Sequence, residues 1–133
     1  MSFRIVNPES LAAPRGYNHG VVAPAGGRLL FVAGQTASEA DGRRVAGEFV
    51  DQWERALEKV LVVVREAGGA PGDIGRLTIY VTDLHAYFSN LAALGQSYRK
   101  LMGRHYPAMA LVQVSGLVDP GAVVEIEATA VLP

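Results

Sequence analysis

The chain has 133 residues, half of them hydrophobic, which suits one domain, spanning 1–133, with a sizeable core. Lys and Arg number 12 against 13 Asp and Glu, and the net charge of −1 lacks the basic footprint of a dedicated nucleic-acid binder. There is no cysteine, so disulfides, thiolate metal sites and cysteine nucleophiles are excluded.

FRIV (3–6) reads as a short strand, and NPESLAAPRG, broken by Pro8 and Pro14, as a loop. YNHGVVA (17–23) and RLLFVA (28–33) follow as strands, with PAGG between them as a turn of hairpin length. From Gly47 to Ala67 the apolar residues Phe49, Trp53, Leu57, Val60, Leu61 and Val64 recur at helical spacing. Gly68 and Gly69 stop this helix, and Pro71 prevents it from resuming. RLTIYVT (76–82) alternates as a strand. A second helix is expected over His85–Met102, with Gly95 inside it at a cost of about 1 kcal/mol relative to alanine. Two strands close the chain, MALVQVS (109–115) and AVVEIEATAVL (122–132). The turn sequence Asp119-Pro120-Gly121 between them predicts an antiparallel hairpin.

The order β-β-β-α-β-α-β-β predicts an α+β domain, a mixed sheet with two helices on one face and parallel strand–helix–strand crossovers. In the last strand Val124, Ile126, Ala128 and Ala130 fit the helix side, and Glu125, Glu127 and Thr129 point away. The strand before it alternates Met109, Leu111, Gln113 and Ser115 against Ala110, Val112 and Val114. Thr78, Tyr80 and Thr82 join the second face, which is too apolar for plain solvent and too polar for a dry core. Two helices cannot cover both sides, so the second face is expected to pack against other subunits. The N-terminal stretch MSFRIVNPES has no long apolar region, and the longest apolar run, VLVVV (60–64), is too short to span a bilayer. A cytoplasmic protein without a signal peptide is the expectation.

Several chemical signatures fail. GGAPG (68–72) follows a helix rather than a strand, so it is a helix end and not a phosphate cradle. His19, His85 and His105 are scattered without metal-ligand spacing, and no metal or cofactor is expected. Arg99, Lys100 and Arg104 gather near a helix C-terminus, where they complement its dipole. Glu125 and Glu127 share a strand face about 6.6 Å apart. Two carboxylates this close oppose each other's ionisation, which suits one of them to acid–base chemistry. A solvated face or an ion pair between subunits accounts for the same spacing. Tyr17 reads either as a packing residue or as an aromatic ligand wall. Gly34-Gln35 reads either as a site of close backbone approach or as a plain strand exit.

The succession NPESLAAPRGYNHGVVA, LLFVAGQTA, WERALEKVLVVVREAGG, IYVTDL and YPAMALVQVSGLVDPGAVVEIEATAVL resembles the Rid family, also called YjgF or endoribonuclease L-PSP. The resemblance covers nearly the whole chain. It implies a chorismate-mutase-like fold, a homotrimer, and small-molecule clefts at the subunit interfaces. In the best-known branch those clefts hydrolyse enamines and imines to ketoacids and ammonia. The family's cleft tyrosine aligns with Tyr17, its glycine–glutamine pair with Gly34 and Gln35, and its water-positioning glutamate with Glu125. The arginine that grips the substrate carboxylate, two residues after a proline, is replaced here by Met109. Where that branch often has an asparagine, Leu91 stands, with Asn90 one place early.

Four readings follow. The first is a metabolite-binding protein of an arginine-lacking branch, without efficient 2-imino acid hydrolysis. The second is an imine deaminase whose anion is held by another residue, such as Arg104 or Arg15. The third is a ribonuclease or translation inhibitor, which the balanced charge and lack of a basic stripe disfavour. The fourth is a partner-binding trimer with no small ligand.

Overall fold

The computed structural model describes residues 2–42 and 44–133. Two sheets form. β1 (Arg4–Val6) and β2 (Gly20–Val22) pair antiparallel, with Ile5 opposite Val21. β3 (Arg28–Gln35), β4 (Ile74–Val81), β5 (Ala108–Gln113) and β6 (Val124–Leu132) form a mixed sheet in the order β3-β6-β4-β5.

Two expected pairings differ. The hairpin around PAGG does not form: β2 takes β1 as its partner, and β3 takes β6. Side chains explain the choice. The Asn7 amide donates to Asn18 Oδ1 at 2.8 Å, and its own oxygen accepts from the His19 backbone N–H at 2.8 Å. These bonds bind the end of β1 to the start of β2. The closing hairpin also fails, because β4 lies between β5 and β6, parallel to the first and antiparallel to the second. The Asp119–Gly121 turn does reverse the chain, with the Ala122 N–H donating to Asp119 O at 3.1 Å and Gly121 at φ +84°. It sits within a connection too long for a tight hairpin. That connection spans the end of β4, where Val114 N–H bonds Val81 O and Thr82 N–H bonds Val123 O.

The first helix, α1 (Phe49–Glu66), starts two residues later than its periodicity suggests, because Gly47 adopts φ +104°. It ends as expected: Gly68 at φ +90° and Gly69 donate back to Arg65 O and Val64 O, both at 2.9 Å. The expected second helix is two, α2 (Leu84–Phe88) and α3 (Leu91–Met102). The break falls at Ser89-Asn90, not at Gly95. The Asn90 amide donates to Ala86 O at 2.7 Å, a local bond that competes with the helical ladder. Asp83 caps α2 by accepting from the His85 N–H.

α1 and α3 cover one face of the large sheet. Val124, Ile126 and Ala130 of β6 are fully buried there, with Leu77, Val81, Val60, Leu61 and Val64 around them. Glu54 and Lys100, 2.7 Å apart, link the two helices, and that bond holds the Glu54 carboxyl below its ordinary value. The other face is open: Leu29 is 62% exposed, Phe31 74% and Val112 43%.

Gln52 is the buried polar residue that joins α1 to β6. Its amide donates to Gly47 O and Gly121 O at 3.1 Å each, and its carbonyl accepts from Val123 N–H at 2.9 Å. Gln52→Leu leaves three backbone groups without that partner. The expected result is a stability loss of about 2 kcal/mol or more, read as a lower urea midpoint.

Candidate functional site

Cross-strand register decides which site residues meet. Met109 lies beside Leu77 and Leu111 beside Ile79 in the parallel β4–β5 pair, so both side chains face the helices. There they line a cavity of about 570 Å³. Its walls are largely aromatic and aliphatic: Trp53 from α1, Tyr87 from α2, Leu91, Leu94 and Tyr98 from α3, and Tyr106 ahead of β5. Tyr98 and Tyr106 stack with centroids 5.2 Å apart. Burial pushes the Tyr98 phenol up, and its hydroxyl donates to His105 O at 2.6 Å. The Trp53 indole N–H is buried with no acceptor among the described residues.

Tyr17 reaches this cavity from the loop before β2. Asn18 fixes the loop, its backbone N–H donating to Pro107 O at 3.2 Å and its side chain to Tyr106 O at 2.5 Å. Tyr17 is thereby held against the segment that leads to Met109. Its ring also meets His19 edge-on at 5.3 Å. Leu91, at the first position of α3, lines the cavity and is half exposed.

Glu125 stands elsewhere. It pairs across the sheet with Tyr80, and both point to the open face. Gly34 is its close neighbour: a Cβ at Gly34 would lie 2.5 Å from Glu125 Oε2, so the absent side chain lets the carboxylate approach the backbone. Gln35 parts company with both. A bulge between Val32 and Gln35 puts Gln35 opposite Ile126, on the helix side. There its amide donates to Ala33 O at 3.2 Å, and the side chain borders a smaller hollow with Lys59. The sequence-derived site is thus three groups within one chain. Tyr17, Leu91 and Met109 share the cavity, Gly34 and Glu125 share the open face, and Gln35 joins neither.

The histidines have structural partners. His19 Nε2 is 2.6 Å from Ala12 O, His105 Nε2 is 2.6 Å from Ile74 O, and His85 Nε2 is 3.5 Å from Ser89 Oγ.

Comparison with known proteins agrees with this architecture. The family model for endoribonuclease L-PSP matches residues 8–132. The chain belongs to this family, also known as Rid or YjgF. It is 31% identical over 105 residues to a RutC family protein of Pyrococcus abyssi, covering 78% of this chain and 79% of the other. A putative reactive intermediate deaminase, TdcF of Escherichia coli K12, is 32% identical over 108 residues, covering 79% and 80%. Among solved structures, the Rid protein YyfB of Yersinia pestis, described as of unknown function, superposes with a TM-score of 0.84. It is 37% identical and covers 99% of this chain and 100% of its own. E. coli TdcF with bound serine gives a TM-score of 0.67 at 28% identity, covering 98% and 99%.

In this Rid-family chain, sequence reasoning placed Trp53 only in the apolar stripe of α1 and missed that it walls a cavity with Tyr98. It also treated Tyr80 only as a residue of the second face. Its hydroxyl donates to Glu127 Oε1 at 2.6 Å, diagonally across the sheet from Tyr80, whose direct partner is Glu125. That bond to a carboxylate raises the phenol's pKa, because the tyrosinate cannot donate. The contribution of this bond is present below the unfolded tyrosine pKa of about 10 and is lost as pH rises through the raised folded value. In Glu127→Gln the Tyr80 titration is expected to fall back toward the ordinary range, followed by tyrosine-labelled NMR.

Proposed function

We propose that this Rid-family protein binds a small metabolite with a largely apolar body in the cavity around Met109, and that it hydrolyses short 2-imino acids poorly. Met109 itself carries the reading. It sits at the start of β5, at the position that the family resemblance aligns with the deaminating branch's arginine, and it shares the cavity with Leu111, Trp53 and Tyr98. A thioether makes no bidentate bond to a carboxylate. Loss of one partner of a buried charge pair costs about 2–5 kcal/mol, roughly 30- to 5,000-fold in affinity. Leu91 adds to the apolar lining.

The cleft on this reading is completed by a second copy in a homotrimer. Exposed Leu29 and Phe31 on the open sheet face support that assembly, since each gains about 1.5–3 kcal/mol when covered. The same assembly would bring the Glu125 of one copy to the cavity of the next, joining groups that one chain keeps on opposite faces. A cavity walled by aromatic and aliphatic side chains favours a small ligand over RNA, despite the family's older name.

Glu125 beside Gly34 favours a second reading, an enamine or imine deaminase whose substrate anion is held by a residue other than Met109. One assay separates the two. An amino-acid oxidase generates 2-imino acids, semicarbazide traps them, and the native protein is compared with Met109→Arg. The expected outcome is a native rate near that of buffer and a clear gain in the variant. A native rate well above buffer overturns the proposal and supports the deaminase.

A further inference from the structure

The cavity has a second chemical character at two of its lining residues. Arg15 and Arg99 both border it, and both are exposed. Arg15 comes from the loop that carries Tyr17, and Arg99 from the exposed side of α3. Neither guanidinium pairs with a carboxylate among the described residues, whereas neighbouring Lys100 is held by Glu54. Among the described residues of this chain, no acidic side chain lines the cavity. Arg99 also leans back along its helix: its Nη1 lies 3.3 Å from where a Cβ on Gly95 would stand, and Gly95 is itself a lining residue. The glycine that weakens the helix thus leaves room for the guanidinium at the cavity.

Two exposed cations therefore border an aromatic interior, and no acid of the same chain lies beside them. An arginine fork matches a carboxylate in shape and charge, and aromatic walls match a flat apolar body. We propose that the ligand is a monocarboxylate with a ring-sized apolar body, its carboxylate on Arg99 and Arg15 and its body among Trp53, Leu94 and Tyr98. The volume of about 570 Å³ falls within the range of small-molecule sites. This inference rests on the reading of the cavity as a ligand site and adds the selection of charge. It separates the anion's holder from Met109, which belongs to the apolar lining.

Trp53 is the only tryptophan in the chain, so its fluorescence reports on the cavity directly. The test titrates the native protein with 3-phenylpropanoate and with 3-phenylpropanamide, at low and at high salt. Arg99→Gln, Arg15→Gln and Arg99→Lys are titrated in parallel. Both arginines are exposed, so these substitutions leave the core unchanged. The acid is expected to bind about fivefold or more tighter than the amide at low salt, with the preference shrinking as salt screens it. Arg99→Gln should abolish most of that preference, and Arg99→Lys should restore part of it. Equal binding of acid and amide overturns the charge assignment and leaves the apolar ligand site standing. An acid preference that persists in both glutamine variants overturns the assignment to these arginines. If neither probe changes the Trp53 signal, this inference and the ligand-site reading both fall.

Discussion

The fold depends on the two-faced alternation of β6. Val124, Ile126, Ala128 and Ala130 are buried beneath the helices, while Glu125, Glu127 and Thr129 face the other way. A slip of one residue would turn the two glutamates into the helix-covered core and the aliphatic side chains out. Carboxylates buried without partners cost far more than the alternation gains, so the register is strongly specified. β6 also pairs on both edges, with β3 on one side and β4 on the other. Its register therefore passes to the whole sheet. Ala128 and Ala130 keep that face small, and the large side chains that fill it come mainly from α1.

The division of the candidate site follows from this register. Once β6 sends its glutamates outward, β4 must send Tyr80 outward beside them and Leu77 and Ile79 inward. β5, parallel to β4, then turns Met109 and Leu111 inward. Glu125 and Met109 lie on opposite faces because of ordinary strand periodicity. Exposed Leu29 and Phe31 lie on the glutamate face, where the proposed neighbouring copy would have an apolar surface to cover.

Local patterns were legible in the sequence, and partner choice was not. The stripe of α1, its glycine stop and the alternation of β6 are set by residues close in the chain, and all three stand in the structure. Turn residues carry less information. Asp119-Pro120-Gly121 reverses the backbone, but β4 wins the place beside both β5 and β6. Its Ile74, Leu77, Ile79 and Val81 need the helix-covered centre of the sheet. PAGG misleads for a similar reason, since Asn7 ties β2 to β1 although β3 is closer along the chain. Asn90 breaks the second helix through a side-chain bond that an apolar count does not register, while Gly95, the suspected weak point, stays helical. In the site, Tyr17, Leu91 and Met109 line one cavity. Gln35 departs because a bulge changes the face on which it lies, and a bulge depends on the partner strand.

Charge placement relative to depth gives the proposed specificity its physical basis. A cation inside a cleft grips a small acid well only by desolvating both charges, and its removal leaves the acid without compensation there. The structure puts methionine at that position and exposed arginines at the same cavity's border. At an exposed position a carboxylate keeps part of its hydration, so its pairing is weaker but costs less to form. The affinity must then come from the ligand's apolar body, at about 25 cal/mol for each Å² buried. A short imino acid has little such surface to offer, while a ring-bearing acid has enough to fill the space between Trp53 and Tyr98. On the proposed reading, methionine at this position weakens the hold on small acids and shifts selection toward the shape and size of the apolar body.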